Sequence, residues 1–296
     1  MFDTILGEFS KEEFMSSGHN ACAGCGPAIA VRLLMKAVGH KVVIVIPASC
    51  WSIISGVVPL RTLETVVMHC PFPSAASTAS GVRKGLESLG DFETQVVVLA
   101  GDGGTFDIGL QGLSGAAERN EDILFVCYDN EAYMNTGMQK SSATPYGSRS
   151  TTTPDPMVKT NPKKDIMKIM AAHRIPYATT ATIAFPGDLI SKFKRALEIK
   201  GLRFLHIFTP CPQGWGSPTD KTVELSRLAV LTRLFPLMEV EDGENYTMNY
   251  LPEEYVPIEK YLHLQKRFKS LEKEEVALIQ GKVDKEWEKM CKLTAQ

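Results

Sequence analysis

Short runs rich in β-branched residues, Lys41 to Ile46, Thr94 to Ala100, Ile123 to Tyr128 and Phe204 to Phe208, are apolar without the alternation of a half-exposed strand. A strand that is apolar on both faces must be covered on both, which is the condition of an interior strand in a parallel sheet. Around these runs lie Ala28 to Val38, Ser74 to Leu89, Leu110 to Arg119, Lys164 to Ala172 and Asp188 to Ile199, each with apolar residues at helical spacing. Such alternation predicts an α/β fold: a doubly wound, mostly parallel sheet with helices on both faces. With 296 residues and 44% hydrophobic side chains, the chain has enough apolar material for that core without disulfides.

From about Leu251 the sequence turns to a Pro- and Glu-rich stretch, then to a charged amphipathic pattern over roughly Ile258 to Lys292 with no strand signal. The division expected is a large α/β domain over 1–250 and a helical C-terminal extension over 251–296, packed on a neighbour or on the domain's edge. Ser141 to Lys164, rich in Ser, Thr, Pro and Lys, reads as a long loop of the kind that covers a site or a partner. A net charge of −2 leaves no global basic field, so nucleic acid is not an expected partner. No apolar run approaches the roughly 20 residues of a membrane span. Met1 to Gly18 is acidic and polar rather than basic and then apolar, so no membrane association and a cytoplasmic location are expected.

Seven irregularly spaced cysteines in such a chain point to reduced thiols and metal ligation rather than a disulfide framework. Cys22 and Cys25 form a Cys-x-x-Cys pair, which sets two thiolates on one tight turn; Cys50 and Cys211 complete a four-thiolate cage, leaving Cys70, Cys127 and Cys291 as spares. A structural Zn²⁺ is the competing occupant, but zinc sites usually carry two paired knuckles and only one pair is present. Cys211 is also followed by Pro212, as in some ferredoxin ligands. Cys127, inside an apolar run, reads as a small core residue.

Gly101-Asp102-Gly103-Gly104 follows one expected strand and precedes a helix, at the sheet edge where open α/β folds bind ligands. Glycines let backbone amides approach phosphate oxygens, whereas a carboxylate there suits a bridging Mg²⁺. Asn130, just past the next strand, offers an amide oxygen, and the Ala132 carbonyl is a further donor. Alone, Gly-Asp-Gly is commonest as a surface turn; with the Asn half at this spacing it resembles the thiamine diphosphate motif.

The segments Gly18-His-Asn-Ala-Cys-Ala-Gly-Cys-Gly26, Ala100-Gly-Asp-Gly-Gly-Thr-Phe-Asp-Ile-Gly109, Tyr128-Asp-Asn-Glu-Ala-Tyr-Met-Asn-Thr-Gly137, Ser141-Ser-Ala-Thr-Pro-Tyr-Gly147 and Cys211-Pro-Gln-Gly-Trp215 together resemble the β subunit of 2-oxoacid:ferredoxin oxidoreductases, pyruvate synthases in particular. The resemblance runs from about residue 10 to 270. It implies a thiamine diphosphate-binding fold and a 4Fe-4S cluster held by Cys22, Cys25, Cys50 and Cys211. It also implies Mg²⁺ on Asp102, Asn130 and Ala132, and a diphosphate cradle of Gly101, Gly103 and Gly104. Asn135 and Thr136 would face the reactive carbon, with Gly26, Cys50 and His69 bordering the cofactor. The implied reaction is oxidative decarboxylation of a 2-oxoacid to an acyl-coenzyme A, with electrons leaving through the cluster to ferredoxin or a linked flavoprotein. Implied partners are an α subunit that supplies the activating glutamate and γ/δ-type subunits with further clusters, so the chain alone should be inactive.

Departures from the family pattern bear on the substrate. Ala48-Ser49 precedes Cys50 where relatives carry Thr-Gly, Trp51 is bulky for its place, and His69-Cys-Pro-Phe-Pro-Ser-Ala75 stands where pyruvate-specific relatives show a Phe-Glu pair. Trp51 and Ile53 are the pocket-lining candidates. Pyruvate therefore stays alongside phenylglyoxylate, oxalate and branched-chain 2-oxoacids. Two other classes compete. A non-oxidative thiamine decarboxylase has no use for the cysteines, and a zinc-bearing scaffold has none for Asp102 and Asn130. His69 has the plainer reading of a hydrogen-bonding loop residue, and Trp215 and Tyr133 that of packing anchors.

Overall fold

The computed structural model describes residues 10–57 and 59–294; the reading of Met1 to Gly18 falls largely on residues 1–9, outside the described residues. The strands are β1 Val42–Pro47, β2 Val66–Cys70, β3 Gln95–Gly101, β4 Leu124–Asp129, β5 Tyr177–Thr182, β6 Arg203–Phe208, β7 Met238–Glu241 and β8 Asn245–Met248. They form one sheet in the order β2-β1-β3-β4-β6-β5-β7-β8, parallel through β5, with β7 and β8 as an antiparallel edge. The helices are α1 Gly26–Val38, α2 Cys50–Ile54, α3 Ala75–Ser88, α4 Leu110–Glu118, α5 Ile166–Ala172, α6 Pro186–Glu198, α7 Pro212–Trp215, α8 Thr222–Leu231, α9 Ile258–Leu262 and α10 Lys273–Thr294. Among the described residues no helix is long and apolar enough to cross a membrane.

Successive strand residues point to opposite faces, so the continuous apolar runs feed two cores. Val42, Ile44, Ile46, Val97, Leu99 and Leu205 pack under α1 and α6. Val45, Val96, Val98, Phe125 and Phe204 pack under α3, α4 and α5. This is the doubly wound, mostly parallel arrangement expected from the sequence.

β5 escapes the apolar-run criterion because half of it is threonine. It is nevertheless fully buried, since its hydroxyls are satisfied by backbone carbonyls: Thr179 Oγ1 donates to Met238 O at 2.7 Å, Thr180 Oγ1 to Pro236 O at 2.6 Å and Thr182 Oγ1 to Phe208 O at 3.2 Å.

The C-terminal segment corrects the single helix expected over Ile258 to Lys292. Two helices are separated by a 3₁₀ turn at Lys266–Phe268. That turn carries Arg267 inward to pair with Glu131 at 2.6 Å, a contact a continuous amphipathic helix would have spent on solvent. The segment packs on this chain itself: Ile258, Tyr261, Leu262, Phe268, Ile279 and Val283 share a core with Phe208, Trp215 and α8.

The topology decides where the motifs meet. From β1 the chain crosses outward to β2, while β3 and β4 lie on the other side, so the strand order reverses between β1 and β3. A crevice at the carboxyl edge is the geometric result. Because β1, β3, β4 and β6 are neighbours, the residues just past each of them, Cys50, Asp102, Asn130 and Cys211, are collected at that edge.

Candidate functional site

A cleft of about 140 Å³ opens at the switch point, lined by Ala48, Ser49, Cys50, Phe72, Gly101 to Gly104, Tyr128, Asn130, Ala132 and the 133–136 turn. Asp102 lies buried at its base, with Oδ2 accepting from Ser141 Oγ at 2.6 Å. Its other oxygen faces Asn130. With its nitrogen inward, the Asn130 amide donates to Asp102 Oδ1 at 3.0 Å and to the Ala132 carbonyl at 3.0 Å. With its oxygen inward, that oxygen faces two others at the same separation. Burial, and then the charge of Asp129, push the Asp102 carboxyl well above its usual range. Asp129 goes the other way: burial would raise it, but Lys163 and His206 outweigh burial and hold it at about 2.

Glycine is required where the cleft wall is tight. A Cβ on Gly103 would overlap the Tyr133 ring, and one on Gly109 the Gly104 carbonyl oxygen. Tyr133 is held there by its hydroxyl, which donates to Asp107 Oδ2 at 2.7 Å. Asn135 and Thr136 stand exposed at the cleft mouth, and Thr136 Oγ1 is engaged by Gln139 Oε1.

Cys22, Cys25, Cys50 and Cys211 lie near enough for their charges to influence one another. Burial pushes the Cys25 thiol up to about 12, and the neighbouring Cys211 and Cys22 add to the rise. Cys50 is likewise pushed to about 12 by burial and then by Cys211, Cys25 and Cys22. Among the described residues no three His, Cys, Asp or Glu side chains close on a single-ion position. The turn carrying the first pair is docked by its glycines: Gly26 N donates to Pro210 O at 3.2 Å, and Thr222 Oγ1 to Gly24 O at 2.6 Å. Gly24 adopts φ 71°, and a Cβ there would overlap the Thr219 carbonyl. We therefore expect Gly24→Ala to destabilise the chain by about 2 kcal/mol or more and to separate Cys22 and Cys25 from Cys211. A lowered urea midpoint together with reduced iron per chain would show it; a wild-type midpoint would refute the docking argument.

Behind the cleft runs a buried polar network that the motifs do not announce. Lys163 Nζ donates to Asp129 Oδ2 and, at 2.9 Å, to Glu131 Oε1; His206 Nε2 lies 2.7 Å from Asp129 Oδ2. Glu131 sits at φ 66° between Asn130 and Ala132, and its Oε2 accepts from Arg267 Nη2 at 2.6 Å. The long Ser141 to Lys164 segment straps these parts together, with Lys159 Nζ donating to the Ser141 and Ser142 carbonyls at 3.3 and 3.1 Å.

Other expected positions fall elsewhere. Trp51 is completely buried in the α1/α6 core and Ile53 is 59% exposed, so neither lines the cleft. The helical turn of α2 explains both, since it points Trp51 inward and Ile53 out. His69, exposed on the edge strand β2, meets Ser55 Oγ at 3.3 Å rather than the cleft. Gly26 serves the cysteine turn. Phe72, Ser141 and Met134, unassigned from sequence, belong to the site's walls and supports.

Three comparisons bear on this arrangement. Residues 54–207 match the family described as thiamine pyrophosphate enzyme, C-terminal TPP binding domain. The chain is 47% identical to the ketoisovalerate oxidoreductase subunit VorB of Pyrococcus horikoshii, over 95% of this chain and 94% of that one. It is also 47% identical to the pyruvate synthase subunit PorB of Methanothermobacter marburgensis, over 93% of this chain and 96% of that one. Among solved structures it is similar to a 2-oxoglutarate:ferredoxin oxidoreductase from Magnetococcus marinus with 2-oxoglutarate, coenzyme A and succinyl-CoA bound. There the TM-score is 0.59 at 23% identity, covering 75% of this chain and 82% of that one, a likeness of fold.

Proposed function

Because the chain belongs to the β-subunit family of 2-oxoacid:ferredoxin oxidoreductases, we propose that it carries the diphosphate half of a thiamine diphosphate site and, beside it, a 4Fe-4S cluster. The observation that carries this reading is Cys50, which lines the cleft and at the same time belongs to the group of four thiols.

The donor chemistry fits both groups. Asp102 Oδ1, Asn130 Oδ1 and the Ala132 carbonyl are hard oxygen donors, and oxygens about 3 Å apart match the edge of an octahedron with metal–oxygen bonds of about 2.1 Å. One carboxylate otherwise held above its usual range by burial gains most from a divalent cation. Gly101, Gly103 and Gly104 line the cleft where the diphosphate would lie. Cys22, Cys25, Cys50 and Cys211 bring four soft thiol donors to one neighbourhood, the ligand set of a 4Fe-4S cluster.

When bound, the thiazolium serves as electron sink for decarboxylation of the 2-oxoacid, and the cluster provides a one-electron exit. The residues of this chain bind and exclude: Asp102 and Asn130 anchor, Tyr133 and Phe72 wall off solvent, and Asn135 and Thr136 present polar groups at the mouth. The apolar wall made by Ala48, Phe72 and Met134 favours a small aliphatic 2-oxoacid, pyruvate or its branched-chain counterpart, converted to the acyl-coenzyme A. An α subunit supplies the activating glutamate, γ/δ-type subunits carry further clusters, and ferredoxin or a flavoprotein accepts the electrons. Residues 1–250 act as the cofactor-binding unit and 251–296 as the extension that completes it.

The test is anaerobic purification of the native complex, iron and sulfide determination, and EPR after adding pyruvate, 3-methyl-2-oxobutanoate, phenylglyoxylate or oxalate, with and without coenzyme A. A reduced-cluster signal with an aliphatic 2-oxoacid is expected. Absence of iron, or no response to any acid, would sink the reading.

A further inference from the structure

Arg267 is the least expected charge in the site. It comes from the C-terminal segment, is only 3% exposed, and its guanidinium lies 3.8 Å from the ring centroid of Trp215. Two of its three nitrogens are committed: Nε donates to Gln265 Oε1 at 2.8 Å, and Nη2 to Glu131 Oε2 at 2.6 Å and Tyr261 OH at 3.3 Å. Nη1 is buried and has no hydrogen-bond partner among the described residues. An unpartnered donor on a buried cation is expensive, so a nearby acceptor is implied.

The guanidinium lies between the turn that starts at Cys211 and the loop that carries Asn130. Trp215, under the guanidinium, closes the short turn that starts at Cys211, with its backbone N–H donating to Cys211 O at 2.9 Å. On its other side the guanidinium holds Glu131, which stands between Asn130 and Ala132. Trp215 Nε1 also donates to Asn130 O at 2.9 Å. One cation thus touches the cofactor loop directly and the Cys211 turn through Trp215.

We infer that Arg267 is a positioning and tuning residue whose positive charge, stacked on the Trp215 end of the turn that starts at Cys211, raises the cluster's reduction potential while Glu131 partly offsets that charge. This rests on the cluster reading above. A nearby positive charge favours the reduced, more negative cluster, since the charge around a cluster is a lever on its potential. Glu131 works in the opposite sense. The C-terminal segment would then set how readily electrons leave the thiamine site, and the cluster's potential would depend on that segment remaining docked.

The experiment is an EPR-monitored redox titration of the anaerobic full complex, following the signal that Cys25→Ala removes. Arg267→Met should make the potential more negative, with about a tenfold or larger shift in the oxidised-to-reduced ratio at a fixed poise, about 59 mV for one electron. Arg267→Lys, which keeps the charge, should shift it less. Glu131→Gln should move it the other way, and this opposite sign is something a purely structural role would not produce. If Arg267→Met loses iron, Glu131→Gln decides alone. A wild-type complex without the cluster signal would defeat the functional reading itself. An intact wild-type signal with an unchanged potential in Glu131→Gln, or in iron-replete Arg267→Met, would overturn only this inference.

Discussion

Asp102→Ala is expected to remove Mg²⁺-dependent thiamine diphosphate binding, by roughly a hundredfold or more, while iron per chain stays at the wild-type level. Asp102 is the only carboxylate in the oxygen donor set at the cleft base. The nearest other one, Asp129, cannot replace it, because Lys163 and His206 already claim its Oδ2. The loss should not be a disguised folding defect. Burial and the Asp129 charge raise the Asp102 carboxyl well above the usual carboxylate range. A carboxyl raised in the folded state favours folding at acid pH, and that contribution is lost as pH rises through the folded value. The Asp102 carboxyl therefore adds nothing to folding at neutral pH that an amide would lack, and Asp102→Asn, which keeps the volume and a partner for Ser141, should melt no lower than wild type. Calorimetric titration with thiamine diphosphate and Mg²⁺, beside thermal melts at pH 7, checks both halves. Retained Mg²⁺-dependent affinity would remove Asp102 from the metal site.

The contrast between Asp102 and Asp129 marks the boundary of what the sequence discloses. Asp102 could be found because a local pattern surrounds it: glycines on either side, a strand before, a helix after. Asn130, Cys50 and Cys211 likewise stand just past strands, at the edge where the sheet itself makes the site, whereas Cys22 and Cys25 are marked by their Cys-x-x-Cys spacing ahead of α1. The partners that set the electrostatics carry no such pattern. Lys163 reaches Asp129 across a loop with no periodicity, and Arg267 is 136 residues from Glu131. No spacing rule connects them; only the folded path of the C-terminal segment does. Trp51 and Ile53 failed as pocket residues for a related reason. Nearness in sequence to Cys50 places them on α2, but the helical turn decides which way each one points. The substrate is the least legible feature, and the comparisons reflect it: identity is 47% to a ketoisovalerate enzyme's subunit and 47% to a pyruvate enzyme's.

Cys25→Ala should produce the complementary phenotype: loss of most iron and of the reduced-cluster signal, with thiamine diphosphate affinity within about twofold of wild type. The physical basis is the separation of the two sites everywhere except at Cys50. Cys25 caps α1, on a turn fastened to Pro210 and, through Gly24, to Thr222, and it does not line the cleft. Its thiol, raised to about 12 by burial, is neutral at pH 7 in the cluster-free chain. Metal must displace that proton, and alanine removes the ligand without leaving a buried charge. The apo fold should therefore survive, with a urea midpoint close to wild type. Cys291→Ala, remote from the thiol group, is the control and should keep its iron. Cys50→Ala is the informative third variant. Because Cys50 belongs to both sites, it should lose iron and also weaken thiamine diphosphate binding, which Cys25→Ala should not. Iron analysis and cofactor titration on the three proteins separate the possibilities. If Cys25→Ala and Cys50→Ala behave alike toward the cofactor, the two sites do not share a wall at Cys50. If Cys25→Ala keeps its full iron content, the cage is not built from these cysteines.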